Sequence, residues 1–578
     1  MMLDQGHLNL IWADALINGL VQAGVRRVVI SPGSRSTPLV LAVARHPSTR
    51  DWVIGDERSA AYFALGLSKL SGTPAAVICT SGTAVANWLP AIMEASAANV
   101  PLILISADRP PEARAIGANQ TTDQIKLFGD LVRAFHELPP PAEDEIDTLP
   151  GLTARIVDAA LSSRPGPVHI NVPFREPLLP KNDLPPANRR GGRAITIHRG
   201  VTLPSADTIT TLAAVLSSGK GVIVCGPDRL DVPFAHAAVR LANRVNAPIL
   251  ADPLSGLRRG PWVDDTVIGG YDGFLRSPHF TEAHQPDWVL RFGAYPVSKG
   301  LGQYMRMCAT SQHIVVAEYD QWPDPAGHAT HMIHADPRRV AESLTKAIAT
   351  GADLHWLKAF QAADAQVRAA LPPPSATGLF EDRVVTLLAH HLPADSLLFA
   401  GNSMPVRELD SFLSVEHKPL RMTGNRGVSG IDGNIATLLG LAAADPAGAP
   451  AVGLIGDLTF AHDSASLRAA QDIPVLIVVL DNGGGGIFEY LPQAGLDAAL
   501  FARYWLTDDA PDIAKVCAAY EIVCHHAIDE ASLQHALSAA LRSKTTQVIR
   551  VVLDRRASNK RHQDHWQACI DPFQGDTP

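Results

Sequence analysis

The sequence has no apolar run of about 18 residues, so no segment reads as a membrane-spanning helix. It has no C-x-x-C pair. Its six cysteines (Cys79, Cys225, Cys308, Cys517, Cys524 and Cys569) are scattered, which excludes a disulfide framework and a thiolate zinc site and fits a reducing, cytoplasmic setting. It has no basic surplus either: 49 Lys and Arg stand against 58 Asp and Glu, a net charge of −9. Broad nucleic-acid binding is excluded, because no excess of cations exists to neutralise phosphates. Anionic small substrates are not excluded, since a few arginines can line one pocket of an acidic protein. The opening stretch MMLDQGHLNLIWADALINGL carries Asp4 and Asp14 and no basic flank, so it is expected to be an amphipathic helix rather than a secretion signal. No short-period repeat and no G-x-G-x-x-G loop is found.

What is present is length and patterning. At roughly 100–200 residues per domain, 578 residues imply about three domains. Apolar, β-branched runs alternate with Ala/Leu-rich helical segments throughout. Strands are expected at 25–30, 75–80, 101–106 and 167–171, then at 221–225, 248–251, 288–292 and 313–318, and finally at 396–400, 451–455, 474–480 and 547–552. Polar or Pro-rich stretches at 180–193 and 371–378 read as linkers. Continuous apolar strands separated by helices imply parallel sheets covered on both faces. The fold class is therefore α/β, with three consecutive doubly wound domains expected at 1–180, 195–370 and 378–578. Ligands of such sheets sit at the carboxyl ends of strands.

The stretch GDLTFAHDSASLRAAQDIPVLIVVLDNGGGGIF (456–488) follows a strand with Gly456-Asp457, crosses a helix that Asp463 or Ser464 can cap, and closes a second strand with Asp481-Asn482-Gly483-Gly484. Either dipeptide alone reads as an ordinary turn. Together, on adjacent parallel strands, Asp457 and Asn482 would face each other beside a glycine carbonyl. That is a set of hard oxygen donors suited to Mg²⁺, which keeps its other positions for water and phosphate oxygens. The helix start after Asp457 favours the same anion. Arginines recur just past strand ends: Arg35 in SPGSRSTPL, Arg109 in SADRPPE, Arg407 in GNSMPVRELD and Arg426 in NRGVSGIDG. Bidentate guanidinium–carboxylate contacts are strong and directional, so this placement points to a pocket for more than one carboxylate.

The GDL…DNGG pattern resembles the motif of thiamine-diphosphate enzymes, with Leu458 where the third position is usually Gly and Asp481 where the first Asn is usual. Together with DER…ALG, TSGTAVAN, GANQ, NVPFREPL, GNSMPVR and NRGVSGIDG, it resembles the family of 2-succinyl-5-enolpyruvyl-6-hydroxy-3-cyclohexene-1-carboxylate synthases of menaquinone biosynthesis (the MenD family), from about residue 10 to about 555. The resemblance implies a thiamine-diphosphate-binding fold, with pyrimidine-binding, central and diphosphate-binding domains in that order. It implies thiamine diphosphate and Mg²⁺ (or Mn²⁺) as cofactors, with Asp457, Asn482 and the Gly484 carbonyl on the metal. Ser81, Gly82, Thr83, Ile431, Gly456, Leu458 and Thr459 would complete the cofactor site, Ile431 holding the coenzyme bent. Glu57, in a dry pocket that raises its pKa, would activate the aminopyrimidine. The family reaction decarboxylates 2-oxoglutarate and adds the succinyl unit 1,4 to isochorismate. Ser403, Arg407 and Arg426 would handle the first substrate. Ser34, Arg35, Arg109, Asn119, Gln120 and Lys299 would face the second, with Gly300 where some members carry Arg. The acid and the diphosphate anchor of one site come from two chains in this family, so a homodimer or dimer of dimers is implied.

Two other readings of the motifs exist. An acetohydroxyacid-synthase-like carboligase would bind FAD and take uncharged acceptors, against which Arg35 and Arg109 argue. A non-catalytic nucleotide-binding module would use VCGPDR (224–229) as its loop, although the glycine pattern is absent.

Overall fold

The interior strands grow from the apolar runs. In a sheet covered on both faces every side chain of a central strand is buried, so alternation is lost and continuous Val/Ile/Leu remains. The computed structural model describes residues 4–574 except 182–183, 185, 188–194, 229–230, 350, 352, 376–377 and 508–509. Most of the first expected linker, and residues 376–377 of the second, lie outside the described residues.

Three six-stranded, all-parallel sheets result. The first contains β1 (Arg27–Ile30), β2 (Arg50–Val53), β3 (Ala75–Cys79), β4 (Leu102–Asp108), β5 (Ala134–Glu137) and β6 (Pro167–Pro173), in the order β2-β1-β3-β4-β6-β5. The second contains β7 (Gly221–Cys225), β8 (Ile249–Ala251), β9 (Val267–Ile268), β10 (Trp288–Phe292), β11 (Gln312–Ala317) and β12 (His331–His334), in the order β12-β11-β10-β7-β8-β9. The third contains β13 (Leu397–Ala400), β14 (Arg421–Gly424), β15 (Ala451–Gly456), β16 (Leu476–Asp481), β17 (Val523–Ala527) and β18 (Gln547–Val552), in the order β14-β13-β15-β16-β18-β17. The first and third sheets share one topology. In both, the direction of winding reverses at the second and third places of that order, β1/β3 and β13/β15, which is where open α/β sheets bind ligands.

The chain forms two compact units. One holds residues 1–199, 425–448 and 462–473, and the other holds 200–424, 449–461 and 474–578. In the first unit the helix Glu57–Ser71 packs along the helix Asn434–Ala444, and the approach is close enough to require glycine on both. A Cβ at Gly66 would stand 2.2 Å from the Thr437 carbonyl oxygen, and one at Gly440 would stand 2.1 Å from that of Phe63. Glu94, itself buried, accepts the backbone N–H groups of Gly427 and Val428 at 2.8 Å each. Overpacking of this kind costs about 1–3 kcal/mol, so Gly440→Ala is expected to lower the urea midpoint of the first unit's unfolding. An unchanged midpoint would show that the two helices can separate freely.

The N-terminal helix forms (Gln5–Gln22), but it is not amphipathic: Trp12 through Val21 are all buried. Neighbouring helices cover it from several sides, and Asp14 is neutralised by Arg45 at 2.8 Å. Asp463 does not cap the segment that follows it. Its carboxylate accepts from the N–H groups of Ile435 (2.7 Å) and Ala436 (3.1 Å), opening the helix Asn434–Ala444 instead, and burial pushes its pKa up to about 6.

In the second unit the helix Met404–Phe412 is fixed to the central sheet by buried charge. Arg258 Nη2 donates to Asp410 Oδ1 at 2.5 Å, and Tyr271 Oη donates to the same oxygen at 2.7 Å. Asp272 accepts from Ser298 at 2.6 Å and from Ser411 at 3.1 Å, tying the start of the helix Lys299–Met307 to the same helix. Among the described residues no helix is long and apolar enough to cross a membrane, and all six thiols are free.

Candidate active site

β15 and β16 run side by side, Gly456 opposite Leu480, so Asp457 and the Asn482 turn leave the sheet together. Asp457 is 7% exposed. Its Oδ2 accepts the N–H groups of Asn482 at 3.0 Å and Gly484 at 2.8 Å, and its Oδ1 accepts that of Leu458 at 2.7 Å. Burial pushes its pKa up, against the lowering effect of these N–H donors. Asn482 Oδ1 is buried with no hydrogen-bond partner. A buried acceptor left unmade costs about 1–3 kcal/mol, so this oxygen is poised for something the protein alone does not supply. Gly484 has φ +83°, and a Cβ there would lie 2.6 Å from the Thr507 carbonyl oxygen. The loop therefore depends on glycine at this point. The Gly484 carbonyl accepts from Arg555 at 3.0 Å, leaving its second lone pair. One dry carboxylate, one orphan amide oxygen and a carbonyl fit a hard divalent cation. Among the described residues no cluster of three or more His, Cys, Asp or Glu offers a different metal site. Leu458 is half-buried and Thr459 buried at the start of the helix Asp457–His462.

At the matching ends of the first sheet, Ser81 and Gln120 grip each other. Ser81 Oγ donates to the Gln120 carbonyl at 2.9 Å, and Gln120 Nε2 donates to that of Ser81 at 3.1 Å. Gly82 N–H donates to Gln124 at 3.0 Å, and Thr83 and Asn119 are exposed. After β1, Ser34 is exposed and Arg35 is buried. The Arg35 guanidinium donates to the Phe174 carbonyl at 3.0 Å and to Glu176 at 2.7 Å. After β4, Arg109 reaches the same Glu176 oxygen at 3.2 Å. The structure thus brings Arg35 and Arg109 together, as the motif placement implied, around a carboxylate whose role the sequence did not disclose.

Glu57 is the first residue of its helix and is half-buried. The expected dry enclosure is not found around it. A side chain at a helix start projects beyond the packed body of the helix, and no hydrogen bond or ion pair among the described residues engages its carboxylate. Ser403 follows β13 with φ +69°, a conformation that costs a residue with a side chain of order 1–3 kcal/mol and that clusters at functional sites. Its carbonyl accepts from Arg407 at 2.6 Å, and Lys299 is exposed at its own helix start. Arg426 and Ile431 are half-buried and belong to the first compact unit, whereas Ser403 and Arg407 belong to the second.

The central sheet, read outward from β9, has the strand order of dinucleotide-binding folds. The turn after β10 nevertheless approaches the backbone after β7 closely: a Cβ at Gly226 would stand 1.8 Å from the Ala294 carbonyl oxygen. Ala294 N–H donates to the Pro227 carbonyl at 3.0 Å, and Gly226 N–H donates to that of Phe292 at 2.9 Å. The turn after β10 thereby lies on the VCGPDR loop, which argues against the nucleotide-module reading.

Three family models match in succession: the thiamine pyrophosphate enzyme N-terminal TPP-binding domain at 12–127, the middle domain of thiamine pyrophosphate enzymes at 203–400, and the C-terminal TPP-binding domain at 407–551. Curated relatives named 2-succinyl-5-enolpyruvyl-6-hydroxy-3-cyclohexene-1-carboxylate synthase align over nearly the whole length. The Chloroflexus aurantiacus protein is 42% identical over 92% of this chain and 91% of its own. The Halobacterium salinarum protein is 39% identical over 96% and 97%, and the Geobacillus kaustophilus protein is 44% identical over 84% and 85%. The chain belongs to the MenD family of thiamine pyrophosphate enzymes. Membership in the MenD family agrees with the three-sheet architecture, and the C-terminal family model spans both Asp457 and Asn482.

Proposed function

We propose that the chain is a thiamine-diphosphate-dependent carboligase that decarboxylates 2-oxoglutarate and joins the remaining succinyl unit to isochorismate by 1,4-addition. The product is the carboxylate for which its relatives are named. The observation that carries this reading is the donor set at the ends of β15 and β16, where a buried carboxylate holds the turn that bears an orphan amide oxygen.

Asp457, Asn482 and the Gly484 carbonyl would hold Mg²⁺ or Mn²⁺ against the coenzyme's diphosphate, with Gly456, Leu458 and Thr459 lining the approach. When bound, thiamine diphosphate supplies an acidic thiazolium carbon that can add to a ketone and take up the electrons released with CO₂. Glu57 would share a proton with the aminopyrimidine nitrogen, and Ser81, Gly82, Thr83 and Ile431 would orient that ring. In the working unit, a homodimer or dimer of dimers, a second copy would enclose the half-exposed Glu57. Ser403, Arg407 and Arg426 would bind the oxoglutarate-derived carboxylate, and Ser34, Arg35, Arg109, Asn119, Gln120 and Lys299 would receive isochorismate. The guanidinium groups suit two multiply anionic substrates, which an acetohydroxyacid-synthase-like reaction would not supply.

The test is an assay of 2-oxoglutarate plus isochorismate, with and without thiamine diphosphate and Mg²⁺, following CO₂ release and isochorismate loss. CO₂ release without isochorismate loss would overturn the acceptor assignment. For the division of labour, Arg407→Ala is expected to raise KM for 2-oxoglutarate about tenfold, the loss of roughly 1.4 kcal/mol, and KM for isochorismate less than threefold. Equal changes in the two constants would refute it.

A further inference from the structure

The carboxylate that joins Arg35 to Arg109 belongs to Glu176, which the site described above does not use. Its Oε1 accepts from Arg35 Nη2 at 2.7 Å and from Arg109 Nη1 at 3.2 Å. The two ends of this bridge differ in freedom. Arg35 is 5% exposed and is also held by the Phe174 carbonyl, whereas the Glu176 side chain is 65% exposed. The backbone beneath Glu176 is fixed: the fully buried Asn9 donates through Nδ2 to the carbonyls of Arg175 at 2.9 Å and Pro177 at 3.1 Å, one residue to each side. The guanidinium groups lower the Glu176 pKa, chiefly through the Arg35 hydrogen bond, so the carboxylate is ionised at neutral pH. Donors are left over. Arg109 Nε is buried without a partner, and a guanidinium carries five N–H groups, of which each arginine spends only one or two here.

We propose that Glu176 is a positioning residue for the isochorismate carboxylates. One of its oxygens draws two guanidinium groups to a common point, offsets their mutual repulsion, and turns their remaining N–H groups toward an incoming dianion. Asn9 holds the backbone on either side of Glu176, so its carboxylate starts from a fixed point beside both arginines. The inference rests on the proposed assignment of Arg35 and Arg109 to isochorismate.

The experiment compares the full-length protein with Glu176→Ala and Glu176→Gln, measuring KM for both substrates and the direct binding of isochorismate by calorimetry. Glu176→Ala is expected to raise KM and Kd for isochorismate about tenfold and to move KM for 2-oxoglutarate by less than twofold. Glu176→Gln keeps an oxygen acceptor without the charge and is expected to fall between, near threefold. Three results would overturn the inference: isochorismate constants that do not change, a rise common to both substrates, or a fall, which would make Glu176 a competitor. Calorimetry separates this from the wider reading. Wild-type protein that binds isochorismate but does not consume it defeats the proposed reaction, while the comparison of Kd values still decides the part played by Glu176.

Discussion

Glu57→Gln is expected to leave the fold intact and to lower turnover about 10³-fold, within the range that a positioned proton donor or acceptor supplies. The residue opens the helix Glu57–Ser71, and its carboxylate is engaged by no hydrogen bond among the described residues. Removing the charge therefore costs the fold no hydrogen bond, only the carboxylate's interaction with the helix dipole, about 0.3–1 kcal/mol. A glutamine amide cannot share a proton with a ring nitrogen as a carboxylic acid does, so the deficit should fall on activation of the coenzyme. Exchange of the thiazolium C2 proton for deuterium, followed by NMR in the loaded protein, isolates that step from binding and from product release. Exchange at the wild-type rate in the variant would remove Glu57 from the mechanism.

Asn482→Leu should separate function from stability at the other end of the coenzyme. Asn482 Oδ1 is buried and unpartnered in the protein alone, and replacing a group of this kind by an apolar one of similar shape is neutral or stabilising. The metal-free variant is expected to melt at or above the wild-type temperature. At the same time its Mg²⁺-dependent affinity for thiamine diphosphate should fall about 100-fold, measured by calorimetry with and without the cation. Equal affinity in variant and wild type would show that Asn482 is not a ligand. A large fall in melting temperature would show that the oxygen serves the fold. Asp457 offers no such separation, because three backbone N–H groups depend on its carboxylate.

The two variants probe the parts of the molecule that differed most in how openly the chain declares them. The twelve apolar runs read as strands are the twelve interior strands of the three sheets, while β2, β5, β9, β12, β14 and β17 are all edges. An edge strand such as β12 (HMIH) or β17 (VCHHA) is partly exposed, so it has no need of a continuous apolar run. The Asp457–Asn482 pairing was legible because two strands and the helix between them fix its geometry. Glu176 was not, because its partners Arg35 and Arg109 lie far off in sequence and meet it only through the sheet. Asp463, which with Ser464 is a candidate cap for the segment after it, is hard to place for the same reason: capping rules are local, and its Oδ2 accepts from the start of a helix that precedes it in the chain. The enclosure expected around Glu57 is one that a single chain does not complete.

The glycine crossing between the helices Glu57–Ser71 and Asn434–Ala444 makes sequence order a poor guide to where this molecule could be divided. A cut through the polar stretch near residue 190 would sever the chain without liberating the N-terminal sheet as a self-sufficient piece. The snug groove around Gly66 is filled by residues that arrive more than two hundred positions later. Expressed by itself, the first third would expose that groove to water and carry an adhesive face in place of a finished surface.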